Sequence, residues 1–99
     1  MKAIPIIKPN RKLTKKGNIV YTAVWLVDKN ENYPEGIKYS FTLISQGKRI
    51  IGYDYNPAEG HHRHYIREGK SIRENYEFKN LDEIFVKFHK DVEEYEKGI

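Results

Sequence analysis

Apolar and polar positions along this chain follow two different periods, and the change between them divides it. From Ile19 to Val27 the run Ile-Val-Tyr-Thr-Ala-Val-Trp-Leu-Val is β-branched and aromatic without a breaker, which predicts a strand buried on at least one side. Ile37 to Ser45 alternates, with Tyr39, Phe41 and Leu43 on one face and Lys38, Ser40 and Thr42 on the other. Gln46-Gly47 supplies a tight turn and Lys48 to Tyr53 returns as a third strand, so the three form an antiparallel meander. Past Asn80 the period lengthens. Leu81, Ile84, Phe85, Phe88, Val92 and Tyr95 recur at spacings of three, four and seven, one face of a helix. Asn80 is its expected N-cap, Glu83 completes a capping-box-like pair, and Gly98 stands where the helix should stop.

The intervening segments are more polar. Ile4 to Lys8 predicts a short strand, with Pro5 acceptable only at a sheet edge. Pro9 to Gly17 carries basic residues and few apolar ones and reads as an exposed loop; Asp28 to Gly36 collects Asp, Asn, Pro and Gly and reads as another. Asn56-Pro57 and Gly60 delimit a short loop before a fourth strand, His61 to Arg67. Glu68 to Arg73 reads as turn, and Tyr76 to Phe78 as a brief edge strand. Neither a one-faced sheet nor a one-faced helix can bury its apolar side alone. The expected fold is therefore α+β: a single domain over residues 1–99, with a twisted antiparallel sheet of about four to five strands packed against a C-terminal helix.

Composition narrows the chemistry. Cysteine is absent from the 99 residues, which excludes disulfides, a thiolate nucleophile and cysteine-zinc sites. The apolar run from Met1 to Lys8, broken by Pro5, is too short for a signal segment, and no stretch approaches the ~18 apolar residues of a membrane helix. A soluble, cytoplasmic protein with no membrane partner is the expectation. The formal charge of +4 is unevenly spread: from Asn80 onward six acids face three lysines, whereas residues 1–79 carry 15 basic and 8 acidic side chains. A basic body suits a polyanionic partner, RNA above all, although many small charged proteins are basic for solubility alone.

Three of the four histidines fall in His61-His62-Arg63-His64, followed by Tyr65. On a strand, His62 and His64 share a face about 6.6 Å apart along the chain. Two imidazoles can then flank one phosphate, one as base for a 2′-hydroxyl and the other as acid for the departing 5′-oxygen, since histidine titrates near neutrality. Arg63 is the candidate charge clamp, but regular alternation points it and His61 to the opposite face. Asp54, across the loop, either orients a histidine or merely starts the loop. Lys38, Lys48, Arg49, Tyr53, His61 and Tyr65 are candidate substrate contacts, the lysines and arginine equally suited to a wet sheet face. The same His-x-His spacing fits a metal held with Asp54 or Glu59 as third ligand. The acid/base reading calls for no metal and no cofactor. His89 reads as a partly buried or surface helix residue.

Gly52-Tyr53-Asp54, with Gly60 eight positions after Gly52 and His62-Arg63-His64 following, resembles the TumE family of toxins. That family shows a Gly-Tyr-Asp-Asn start and a Gly-Asp-His-Arg-His finish at this spacing. The strand ending in Trp25, the Lys38-Tyr39 pair and Tyr76 to Phe78 before an acidic helix agree, so the likeness runs from about Tyr21 to Tyr95. Tyr55 replaces the family's Asn and His61 its Asp. The resemblance implies a cytoplasmic toxin paired with a helix-turn-helix antitoxin encoded nearby, and names no reaction. From the histidines and the basic charge comes the expectation of a small ribonuclease. Its rivals are a non-catalytic nucleic-acid- or protein-binding module and a histidine-based metal protein.

Overall fold

The computed structural model describes residues 4–98; Met1 to Ala3, where the N-terminal apolar run begins, and Ile99 lie outside the described residues. Six strands form one antiparallel sheet in sequence order: β1 (Ile4–Leu13), β2 (Ile19–Leu26), β3 (Ile37–Ser45), β4 (Lys48–Asn56), β5 (Gly60–Arg67) and β6 (Lys70–Asn75). One helix, α1 (Leu81–Lys97), lies across β3 and β4. The α+β architecture is as the patterning predicts, with six strands where four to five were expected.

Alternation along the strands builds the core. Val24 of β2, Tyr39, Phe41 and Leu43 of β3, and Ile51 and Tyr53 of β4 meet Ile84, Phe88 and Val92 of α1. Phe88 is fully buried and its ring stacks on Phe41 at a centroid distance of 5.8 Å. Burying side chains of this kind stabilises by about 1.5–3 kcal/mol each, and they form the one layer between sheet and helix. The helix ends follow their signals. The Asn80 side chain accepts a hydrogen bond from the Glu83 backbone N–H at 2.8 Å. Gly98 ends the helix in a right-handed conformation (φ −82°), its N–H donating to the Tyr95 carbonyl at 3.1 Å. No helix among the described residues is long and apolar enough to cross a membrane.

Three local readings are corrected. Pro9 to Gly17 is not a loop: β1 continues to Leu13, and the reversal is confined to residues 14–18, where Gly17 takes φ +86°. Every position of β1 is exposed, so no alternation marks it, and register shifts flank Ile7, near Pro5 and Pro9. A proline cannot donate to the ladder, and an edge strand interrupted by bulges accommodates it. Glu68 to Arg73 is likewise mostly strand. The turn is Glu68-Gly69 alone, both at positive φ, and β6 is a polar edge in which only Ile72 is half-buried. Tyr76 to Phe78 is not a strand. Tyr76 donates its N–H to the His61 carbonyl at 3.2 Å, and the chain then leaves the sheet for the helix.

Candidate functional site

Register assigns each side chain to one face of the sheet. Cross-strand partners share a face, so Ala23, Ser40, Asp54, His62 and Asn75 form one row across β2 to β6. Tyr21, Thr42, Gly52, His64 and Arg73 form the next. Both rows lie opposite the core, on the face that α1 leaves open. Thr22, Phe41, Tyr53, Arg63 and Glu74 form a row on the helix side.

Asp54 and His62 are directly opposite each other on β4 and β5, and His62 Nε2 lies 2.5 Å from Asp54 Oδ1. His62 Nδ1 lies 3.0 Å from the Gly60 carbonyl, which only accepts, so Nδ1 carries a hydrogen. Contact at 2.5 Å between Nε2 and a carboxylate oxygen requires a further proton between them. The pair thus holds a proton that a neutral imidazole beside a carboxylate would lack. Gly60 can present its carbonyl this way because it sits at φ +78°, a conformation that favours glycine. His62 is 2% exposed.

His64 is different. Its ring stands perpendicular to that of His62 at a centroid distance of 4.7 Å, and its nitrogens have no hydrogen-bond partner among the described residues. Burial, then the positive charges of Arg49 and His62, hold it below the ordinary histidine range, against weaker opposition from Asp54 and Glu59. One histidine therefore has both ring nitrogens engaged, and its neighbour has neither bonded.

A guanidinium reaches this site, from Arg49. The ladder between β3 and β4 shifts register after Leu43, so that Ile44 faces Arg49 whereas Leu43 faces Ile51. This bulge turns Arg49 onto the open face, where simple alternation with Ile51 and Tyr53 would send it to the helix. Arg49 Nη2 lies 3.6 Å from Asp54 Oδ2. Its guanidinium occupies the space over Gly52: a Cβ there would fall 2.6 Å from Arg49 Nε and Nη2. The glycine at the head of the Gly-Tyr-Asp segment is what lets the arginine lie flat beside the histidines.

The loop between β4 and β5 closes one end. The Glu59 carboxylate stands 3.8 Å from His62 Nε2, pairs with Arg73, and accepts from the Asn56 side chain at 3.0 Å. That bond and the Arg73 and His62 charges keep its carboxyl below the usual range. Asn75 donates to the Glu59 carbonyl at 2.7 Å. Asp54, His62 and His64 also bring one ligand atom each within 4.8 Å of one another, a set that could hold a metal ion.

Of the residues singled out from sequence, His62, His64, Asp54, Arg49 and Lys38 share the open face. Four do not. Arg63 lies on the helix side, donating to Asp91 at 2.9 Å and Glu74 at 3.0 Å, with its guanidinium 4.1 Å from the Tyr65 ring centre. These anions raise its pKa further, against the cost of burial, and tie β5 and β6 to the helix. Tyr53 donates to Asp91 at 2.5 Å, and the Tyr65 hydroxyl reaches Glu74 at 3.4 Å. His61 stacks on Phe78 (4.6 Å) and Tyr39 (5.8 Å), with Nδ1 2.8 Å from the Tyr39 hydroxyl. Its buried Nε2 makes no hydrogen bond, the Glu35 carboxylate standing 3.4 Å away, and burial holds the ring below its ordinary pKa. Lys48 sits at the β3–β4 hairpin end, opposite Ser45 and away from the histidines. His89 lies on the helix with its ring 4.3 Å from Phe85, and burial lowers its pKa.

Arg73 and Asp91 were missed. Arg73 pairs with His64 across β5 and β6, a neighbour hidden by reading its segment as a turn. Asp91 looks like one acid among many on an acidic helix, and its position beside Ile84 and Phe88 on the inner side was its one available signal.

Fold and site together define a small α+β protein with a helix-covered face and a basic, histidine-bearing open one. Residues 5–96 match the family described as Toxin TumE, and the chain belongs to that family. Curated proteins and solved structures each return no match.

Proposed function

We propose that this TumE-family toxin is a ribonuclease whose acid and base are His62 and His64. The observation that supports this reading is the pairing of a ring hydrogen-bonded to a carboxylate with an unbonded ring 4.7 Å away, centre to centre. His64 takes the 2′-hydroxyl proton, and the 2′-oxygen attacks the adjacent phosphorus. The 5′-oxygen leaves with the proton shared between His62 Nε2 and Asp54, handed on through the more exposed Asp54 carboxyl, leaving a 2′,3′-cyclic phosphate and a 5′-hydroxyl. Asp54 holds the His62 ring in place, and Arg49 faces the charge that grows on the phosphate oxygens. Arg63 serves the fold. The toxin acts in the cytoplasm, held in check by a helix-turn-helix antitoxin encoded beside it.

A specific observation favours one alternative. The Gly60 carbonyl fixes the Nδ1 hydrogen of His62, as carbonyls do for metal-ligating histidines, and Asp54 and His64 complete a ligand set. Against it, the Arg49 guanidinium stands 3.6 Å from Asp54 and places a positive charge beside the ligand set.

The experiment is incubation of purified protein with RNA, with and without EDTA, beside the double variant His62→Ala/His64→Ala checked for folding. Cleavage that survives EDTA, yields cyclic phosphate ends and disappears in the variant supports the acid/base reading. Cleavage abolished by EDTA as well moves the assignment to the metal. No cleavage by folded protein removes the ribonuclease reading.

A further inference from the structure

Trp25 and Tyr21 stand on the open face of β2, where the core makes no use of them. Trp25 is paired with Lys38 and Tyr21 with Thr42, both on the face away from α1. Both aromatics are half-buried. Neither the Trp25 indole N–H nor the Tyr21 hydroxyl has a hydrogen-bond partner among the described residues. The aromatics of the other face behave differently: the hydroxyls of Tyr39, Tyr53 and Tyr76 all find partners.

Cations accompany the two rings. Lys38 Nζ lies 5.8 Å from the Trp25 ring centre, and Arg11 of β1 is the cross-strand partner of Tyr21. Small side chains, Ala23, Ser40 and Thr42, and the glycine Gly52 separate the aromatics from Asp54, His62 and His64 in the same two rows. From β2 to β5 is three strand intervals, about 14 Å. Arg11, Lys38, Arg49 and Arg73 give this face its charge, while α1 on the other carries six acids against three lysines. A polyanion is attracted to the open face and repelled from the helix side.

Flat aromatic faces beside cations suit a strand whose bases are free to stack and whose phosphates run alongside. Paired bases in an A-form duplex present no such faces, and an acidic peptide would engage the cations while leaving the rings without planar partners. We propose that Trp25 and Tyr21, flanked by Lys38 and Arg11, are a stacking platform for single-stranded RNA that leads the strand across β3 to the histidines. The identity of the bond that is cut rests on the ribonuclease reading; the binding platform is tested apart from it.

Trp25 is the chain's one tryptophan, so its fluorescence reports on its own ring. The wild-type protein is titrated with a single-stranded 2′-O-methyl RNA oligonucleotide, which has no 2′-hydroxyl to attack and so cannot be cut by this chemistry. Saturable quenching is expected, weakening with added salt and absent with a blunt duplex of the same length. By anisotropy of the labelled oligonucleotide, Trp25→Ala and Tyr21→Ala should each weaken binding about fivefold or more, and Trp25→Phe should retain most of it. Absence of quenching, equal quenching by duplex, or affinities indifferent to Trp25→Ala and Tyr21→Ala would overturn the platform. Saturable quenching without cleavage of the unmodified RNA would support it while removing the ribonuclease reading. Cleavage with unaltered binding in both alanine variants would do the reverse.

Discussion

The two faces of this sheet are built from the same strands, residue by residue in alternation, yet they are organised for different ends. Under the helix, polar groups are tied to one another: Arg63 to Asp91 and Glu74, Tyr53 to Asp91, Tyr39 to Tyr76 and His61. On the open face His64 is unbonded, Arg49 makes only a long contact to Asp54, and two aromatics face outward without polar partners. Four adjacent residues, His61 to His64, are divided between these regimes by strand periodicity alone. A histidine cluster in sequence is thus two structural sites: a packed one at His61 and an open-face one at His62 and His64, where His64 keeps its nitrogens unbonded.

Substitutions can separate the faces, and the largest effect is expected at the core. Phe88→Ala should cost about 3–5 kcal/mol by chemical denaturation, enough to threaten folding altogether. His64→Ala should leave stability within about 0.5 kcal/mol, yet reduce RNA cleavage at least about a hundredfold in a discontinuous gel assay. Arg63→Ala should do the opposite. It strands Asp91 and Glu74 and lowers stability by about 1.5–3 kcal/mol, while the folded fraction cleaves at the wild-type rate.

Acid and base should also act through different groups. Burial holds His61 and His64 below the ordinary histidine pKa, so the unfolded chain binds protons more readily and stability falls as pH drops through about 6.5. Tyr39 and Tyr53 are pushed upward by burial and Tyr76 to about 12. An unfolded tyrosine ionises near pH 10, so above that value the unfolded state is favoured and stability is lost again. Thermal melts across pH should show both flanks, and His61→Phe should reduce the acid one.

The smallest expected effect concerns Gly52→Ala. Its φ is unexceptional and the clash is with the end of a flexible side chain, so the fold should tolerate it. Displacing the Arg49 guanidinium should lower cleavage by about tenfold, and Arg49→Ala should make the further change Gly52→Ala harmless.

The strands at the centre were legible because one face of each is apolar. Ile37 to Ser45 alternates cleanly, and the helix declared itself by its caps and its stripe. The edges were not legible, since β1 is exposed throughout, β6 half-buries only Ile72, and polar edge strands resemble loops. That ambiguity concealed Arg73 as a neighbour of His64. Alternation anticipated Arg63 leaving the histidine pair, but no local pattern announces the β4 bulge that puts Arg49 in its place. Asp54 opposite His62 follows from the short loop joining β4 and β5. The two-residue alternation of His62 and His64 fixes their common face, while their unequal hydrogen bonding depends on Gly60, Asp54 and Glu59 meeting in space.

The most direct test of the account is a side-by-side assay of wild type, His64→Ala and Arg63→Ala, each confirmed folded by circular dichroism, on one single-stranded RNA in EDTA. The account predicts cleavage by wild type and Arg63→Ala and none by His64→Ala. Activity in His64→Ala together with its loss in folded Arg63→Ala would place the chemistry on the helix side and contradict the assignment of the open face.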